Sequence, residues 1–179
     1  AVLASFTHLR ALIQQSERLG HTGLTRNGLI DFMQSLVVEN RLSLREIETL
    51  VLYLEIYQAL TEEKRLADNI IFGYCLLRVF GVFVYCFKPT IADGMFRNKI
   101  KISEIASLLG KTEVFNKFDA ENPDHGDTVL AMIAIENTDG VGKFVIPEGD
   151  RGKWAEVFMK YFRSGFGPPR GFSKISAKA

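Results

Sequence analysis

TVLAMIAIEN (128–137), followed after Thr138-Asp139-Gly140 by VGKFVIPE (141–148), is the stretch on which the fold class turns. Two apolar limbs carrying Val, Ile and Phe flank a short turn that contains glycine, which is the pattern of a β-hairpin. Leu130, Ala131 and Met132 favour a helix instead, and a helical first limb would remove the strongest strand pair in the chain. With the hairpin, the expectation is a mainly helical α+β protein.

Upstream of this stretch the chain reads as short elements. KPTIADGM (88–95) resembles a turn with Asp93-Gly94 at its centre, and KIKI (99–102) alternates as a short strand does. SEIASLLG (103–110) predicts a short helix with a serine cap and a glycine stop, and a second is expected around Val114, Phe115 and Phe118. Downstream, Asp150 is the expected cap of a final helix with Trp154, Val157, Phe158, Tyr161 and Phe162 on its apolar stripe. The Gly/Pro-containing remainder, SGFGPPRGFSKISAKA (164–179), does not sustain a helix.

The N-terminal half carries helical periodicity throughout. Leu3, Phe6, Leu9, Leu12 and Ile13 predict a helix over 3–19 with Gly20 as its stop, and Leu29, Ile30, Met33, Leu36 and Val37 a second over 28–40. The third has the clearest start: Ser43-Leu44-Arg45-Glu46 is a capping box, in which a hydroxyl and a carboxylate satisfy two otherwise unpaired amides. Thr61-Glu62-Glu63 is expected to restart a helix that runs through Leu66, Ile70 and Leu77 to Phe80. VFVYCF (82–87) reads as a buried strand or as more of that helix, and Pro89 ends either one. Leu50, Leu54, Leu77 and Phe80 are expected to be buried together. The implied organisation is a helical bundle over 1–88, a mixed α/β region over 89–165 packed on it, and a flexible basic arm over 166–179.

Hydrophobic residues at 47% and charged residues at 24% exclude a disordered or collagen-like chain, and two cysteines exclude a disulfide framework. Cys75 and Cys86 lie in apolar runs, which suits thiols in a reducing, cytoplasmic compartment, although one bridge between them is compatible with the sequence. No secretory leader pattern opens the chain. Residues 70–87 hold a single charge, Arg78, among eighteen positions, which is long enough to cross a bilayer. An arginine at mid-span is unfavourable there by roughly 2.5–3.5 kcal/mol, so a buried core segment is the preferred reading and membrane association a lesser one.

Several patterns point to chemistry without supporting it. Ile102 to Gly110 resembles the first helix and turn of the helix-turn-helix DNA-binding family, which implies a following reading helix over Lys111–Phe118. That segment departs from the pattern: its apolar Val114 comes one position early, and Glu113 stands where a groove-reading helix carries basic or amide side chains. His125 sits among Asp119, Glu121, Asp124 and Asp127, a set that can hold a divalent cation, but the spacing matches no calcium loop and the default is a solvated acidic loop. Gly140-Val141-Gly142-Lys143 and Gly149-Asp150-Arg151-Gly152-Lys153 lack phosphate-loop spacing. No metal, cofactor or catalytic constellation is expected.

Charge is unevenly placed. Residues 151–179 hold seven Lys or Arg and one Glu, a net +6, leaving −5 on the other 150 residues. Arg151, Lys153, Lys160, Arg163, Arg170 and Lys174 interleave with Tyr161, Phe162, Phe166 and Phe172. Cations neutralise phosphates and aromatic faces stack on unpaired bases, so these residues, joined by Arg97, Lys99 and Lys101, form the candidate nucleic-acid surface. Phe166 and Phe172 are the candidate assembly residues, docking on another copy of the chain. The expected function is non-enzymatic: a self-associating, nucleocapsid- or coat-like protein that binds single-stranded nucleic acid, with RNA as the expected ligand. The alternatives are a protein–protein scaffold without nucleic acid, a membrane-associated structural protein and, last, an enzyme.

Overall fold

A computed structural model of the chain describes residues 2–97, 99–111, 124–136, 149 and 151–162. They form an all-helical, bundle-like fold: α1 (Val2–Gln15), a 3-10 turn (Gly23–Thr25), α2 (Asn27–Glu39), α3 (Leu44–Leu60), α4 (Phe72–Phe87), α5 (Pro89–Phe96), α6 (Ile102–Leu108), α7 (His125–Glu136) and α8 (Arg151–Phe162). No strand occurs among the described residues; Thr22 and Ala67 make one isolated antiparallel bridge.

α4 is the axis. It packs on α2, α3, α5, α7 and α8, while α1 lies on α2 and α3, and α6 lies on α7. A helix surrounded in this way must be apolar on nearly every side. Cys75, Leu76, Val79, Phe80, Val82, Phe83 and Val84 are all buried. Arg78 escapes this environment sideways: its guanidinium donates to the Arg65 carbonyl and lies 6.0 Å from the Tyr74 ring centre. Gly73 lets α8 approach, because a Cβ there would run into the Tyr161 carbonyl and the Phe162 ring. No helix among the described residues is long and apolar enough to cross a membrane.

The α+β expectation is overturned by residues 128–136, which are helical. Val129, Leu130, Ala131, Met132, Ile133 and Ala134 are buried in succession, whereas a half-buried strand alternates. α7 therefore contributes several of its faces to the core, and the Asp124 side chain accepts from the Gly126 amide to start it. The proposed second limb, 141–148, lies outside the described residues. VFVYCF is likewise helical; a β-branched residue costs a helix only about 0.5 kcal/mol, far less than burial against five neighbouring helices returns.

Other expectations are corrected in the same direction. KIKI forms no strand: Lys99–Lys101 is a linker and Ile102 starts α6. Lys101 stands at the N-cap of α6 and makes no side-chain capping bond, so the expected serine cap is absent, while Gly110 at φ +70° supplies the left-handed stop. KPTIADGM becomes helix α5 because Pro89, which cannot continue α4, fits the first turn of the next helix. Thr61-Glu62-Glu63 ends α3 rather than starting a helix, with Glu62 and Glu63 left-handed at φ +52° and +58°. The buried Gln58 amide holds that turn, donating to the Glu63 carbonyl at 2.8 Å and accepting from the Leu66 amide at 3.1 Å. α1 stops at Gln15, short of the expected end.

The capping box is present in full: the Ser43 amide donates to the Glu46 carboxylate at 2.7 Å, and the Glu46 amide donates to Ser43 Oγ at 3.3 Å. Leu50, Leu54 and Phe80 are buried in one cluster, and Leu77 packs against it partly exposed. Cys75 is buried and Cys86 half-buried, and both thiols are free.

Candidate nucleic-acid interface

The connection from α5 to α6 turns three of the expected cations to solvent. The Lys99 amide donates to the Gly94 carbonyl at 2.8 Å, folding the chain back on α5. Gly94 permits this, since a Cβ there would lie 3.2 Å from the Lys99 carbonyl and from the Ile100 side chain. Ile100 is buried and pins the turn to the core. With that residue pointing inward, Arg97, Lys99 and Lys101 face outward, all exposed. Phe96 stands beside them with 94% of its surface open to solvent.

A phenyl ring so exposed, on a turn that also carries three exposed cations, presents both elements that an unpaired, phosphate-linked base requires. Arg97 is held by Asp93, Nε to Oδ1 at 3.0 Å, one helical turn back. The pair is exposed on both sides, so exchanging the carboxylate for a phosphate costs little. Phe96 escapes notice in the sequence because it directly follows a segment that reads as a turn. The signal was a phenylalanine directly followed by Arg-Asn-Lys, where no apolar stripe requires it.

Of the remaining expected residues, Lys160 is the one whose side chain is described. Lys160 is exposed on α8, whose main packing partners are α4 and α7. Arg151 and Lys153 lie on α8, but their side chains are outside the description. Arg163, Arg170 and Lys174, and the assembly residues Phe166 and Phe172, lie outside the described residues altogether.

A second polar cluster lies where α6 and α7 meet. Lys111 Nζ is 3.4 Å from Asp124 Oδ2 and 3.2 Å from Asp127 Oδ1. The two described carboxylates of the acidic loop thus converge on a lysine. His125 turns inward, edge-on to Phe72 at 5.2 Å between ring centres, with Nδ1 3.2 Å from the Tyr161 hydroxyl. Burial lowers the His125 pKa, opposed by the charges of Asp124 and Asp31. Burial also raises the pKa of Asp127, against the pull of Lys111, and that of Tyr161. Beside the cluster a cavity of about 140 Å³ is lined by Phe32, Leu36, Glu39, Lys111 and Asp124 among others. Among the described residues no three His, Cys, Asp or Glu side chains gather to hold a metal ion. Burial raises the pKa of both cysteines, which disfavours their thiolate forms.

Comparison with protein-family models, with curated proteins and with solved structures yields no match.

Proposed function

We propose that this chain is a non-enzymatic, self-associating protein that binds single-stranded nucleic acid, RNA in particular. The observation that carries the reading is Phe96, 94% exposed on a turn pinned by Ile100 and flanked by Arg97, Lys99 and Lys101. Covering that ring would remove apolar surface from water, and the flanking charges select an anionic partner. A base stacked on the ring, with its phosphates on the cations, satisfies both. The basic, aromatic sequence 151–179 supplies further phosphate contacts of the same kind.

The test is RNA binding as a function of salt. Replacing Arg97, Lys99 and Lys101 together by Gln should lower the slope of log affinity against log salt by about 2, at roughly 0.7 per lost phosphate contact. Phe96→Ala should weaken binding roughly 10-fold with the slope unchanged, as loss of one stacked base does. Wild-type binding by both variants at every salt concentration would refute the proposal.

A further inference from the structure

Among the described residues, the outer face of α3 presents a continuous row of exposed apolar side chains. Leu52, Ile56 and Leu60 recur at four-residue steps, exposed by 52%, 44% and 79%. Tyr53 extends the stripe sideways onto α4, its ring centre 6.4 Å from that of Tyr85, which is 69% exposed. Such a face has no role in the core, because Ile47, Leu50, Val51 and Leu54 on the opposite side of α3 already bury it against the bundle. A lone exposed leucine needs no explanation, but five large apolar side chains in continuity do.

We propose that this face is the contact between two copies of the chain, α3 crossing α3 in antiparallel fashion about a two-fold axis near residue 54. The inference rests on the self-association part of the proposed function and assigns it a surface. Two observations select a second copy as the occupant. The first is area: side chains of this size, exposed to this extent, present about 500 Å² of largely apolar surface. That is most of the roughly 800 Å² per partner that a stable interface buries, the remainder being polar rim. The second is charge. Arg45 lies on the same stripe at its N-terminal end, exposed and without an ion pair among the described residues. Beyond the last turn of α3, exposed Glu62 and Glu63 carry the opposite charge, each in an exposed pair, with Lys64 and with Arg18.

Antiparallel pairing about residue 54 sets Leu52 of one copy on Ile56 of the other and Thr49 on Ala59, and brings Arg45 toward the acidic turn, Glu62-Glu63, that follows the partner's α3. Parallel pairing would set Arg45 against Arg45. The two-fold arrangement therefore matches apolar with apolar and cation with anion, and it closes at a dimer.

The test uses the full chain and two readouts. Sedimentation velocity should show a dimer, and Ile56→Asp should raise its dissociation constant by about 30-fold or more, the effect of a central interface residue. Because Ile56 is exposed, the variant should keep its helical circular dichroism. In a Cys86→Ser background, mixing Thr49→Cys with Ala59→Cys chains under oxidation should give a crosslinked dimer that neither variant gives alone. A dimer that survives Ile56→Asp, or crosslinks only within each single variant, would overturn the surface while leaving self-association standing. A wild-type chain that stays monomeric at about 100 μM would overturn both. RNA affinity per subunit should be unchanged by Ile56→Asp, which separates this interface from the Phe96 turn.

Discussion

Helices α3 and α4 pack on each other and are both rich in apolar residues, yet they carry opposite lessons. α3 starts at a full capping box and ends at a turn held by Gln58; its boundaries are written in local hydrogen bonds. α4 has no side-chain cap at its N-terminus, starts after Ile71 and stops before Pro89. It is helical because five other helices surround it, not because its own sequence insists. Conversely, α4's apolar residues are mostly core, whereas those on the outer face of α3 are surplus to the fold. Apolar residues on adjacent helices thus build the core in one and are in part left exposed in the other.

Substitutions that separate burial from exposure break or sharpen this contrast. Phe80→Ala in α4 should cost about 3–5 kcal/mol in a denaturant titration, because a buried ring leaves a cavity where α4 meets its neighbours. Ser43→Ala should cost about 1 kcal/mol, since the first turn of α3 loses its hydroxyl acceptor, and RNA binding should not change.

A smaller effect is expected from pH at the N-terminal end of α4, where Phe72 meets His125. Burial lowers the folded-state pKa of His125 below its ordinary 6.5, so the unfolded chain takes up the proton more readily. Stability from this group is full above pH 6.5 and falls as the pH drops below that value toward the folded pKa. Melting temperatures of the wild type and His125→Gln should converge or cross below that value; parallel curves would show that His125 is not held neutral by its surroundings. Smallest of all, Leu52→Ala should alter subunit stability by less than about 0.5 kcal/mol, the range of exposed substitutions. A loss comparable to that of Phe80→Ala would mean that the outer face of α3 is part of the core after all.

Local signals were legible in the sequence and long-range ones were not. The Ser43–Glu46 box, the Leu50/Leu54 stripe and the glycine stop at Gly110 depend on residues a few positions apart, and each appears as read. Residues 82–87 and 128–136 were ambiguous because a helix buried on several faces loses its polar stripe, and with it the period that distinguishes helix from strand. Asp93-Gly94 imitates a turn, but Gly94 serves instead to let the Lys99–Ile100 backbone fold onto α5. That placement also decides the candidate site. Arg97, Lys99 and Lys101 were legible as cations, but only the burial of Ile100 between them shows that Phe96 stands outside the core.

The central claim is that Phe96 stacks on an RNA base. Ultraviolet crosslinking of the full chain to a uridine-rich RNA, followed by peptide mass spectrometry, tests it most directly, since a base in contact with an aromatic ring is well placed for photochemical attachment. The account predicts crosslinked peptides that contain Phe96 and vanish in the Arg97, Lys99 and Lys101 triple Gln variant at moderate salt. A chain that crosslinks to RNA nowhere, or only at positions remote from the α5–α6 turn, would contradict it.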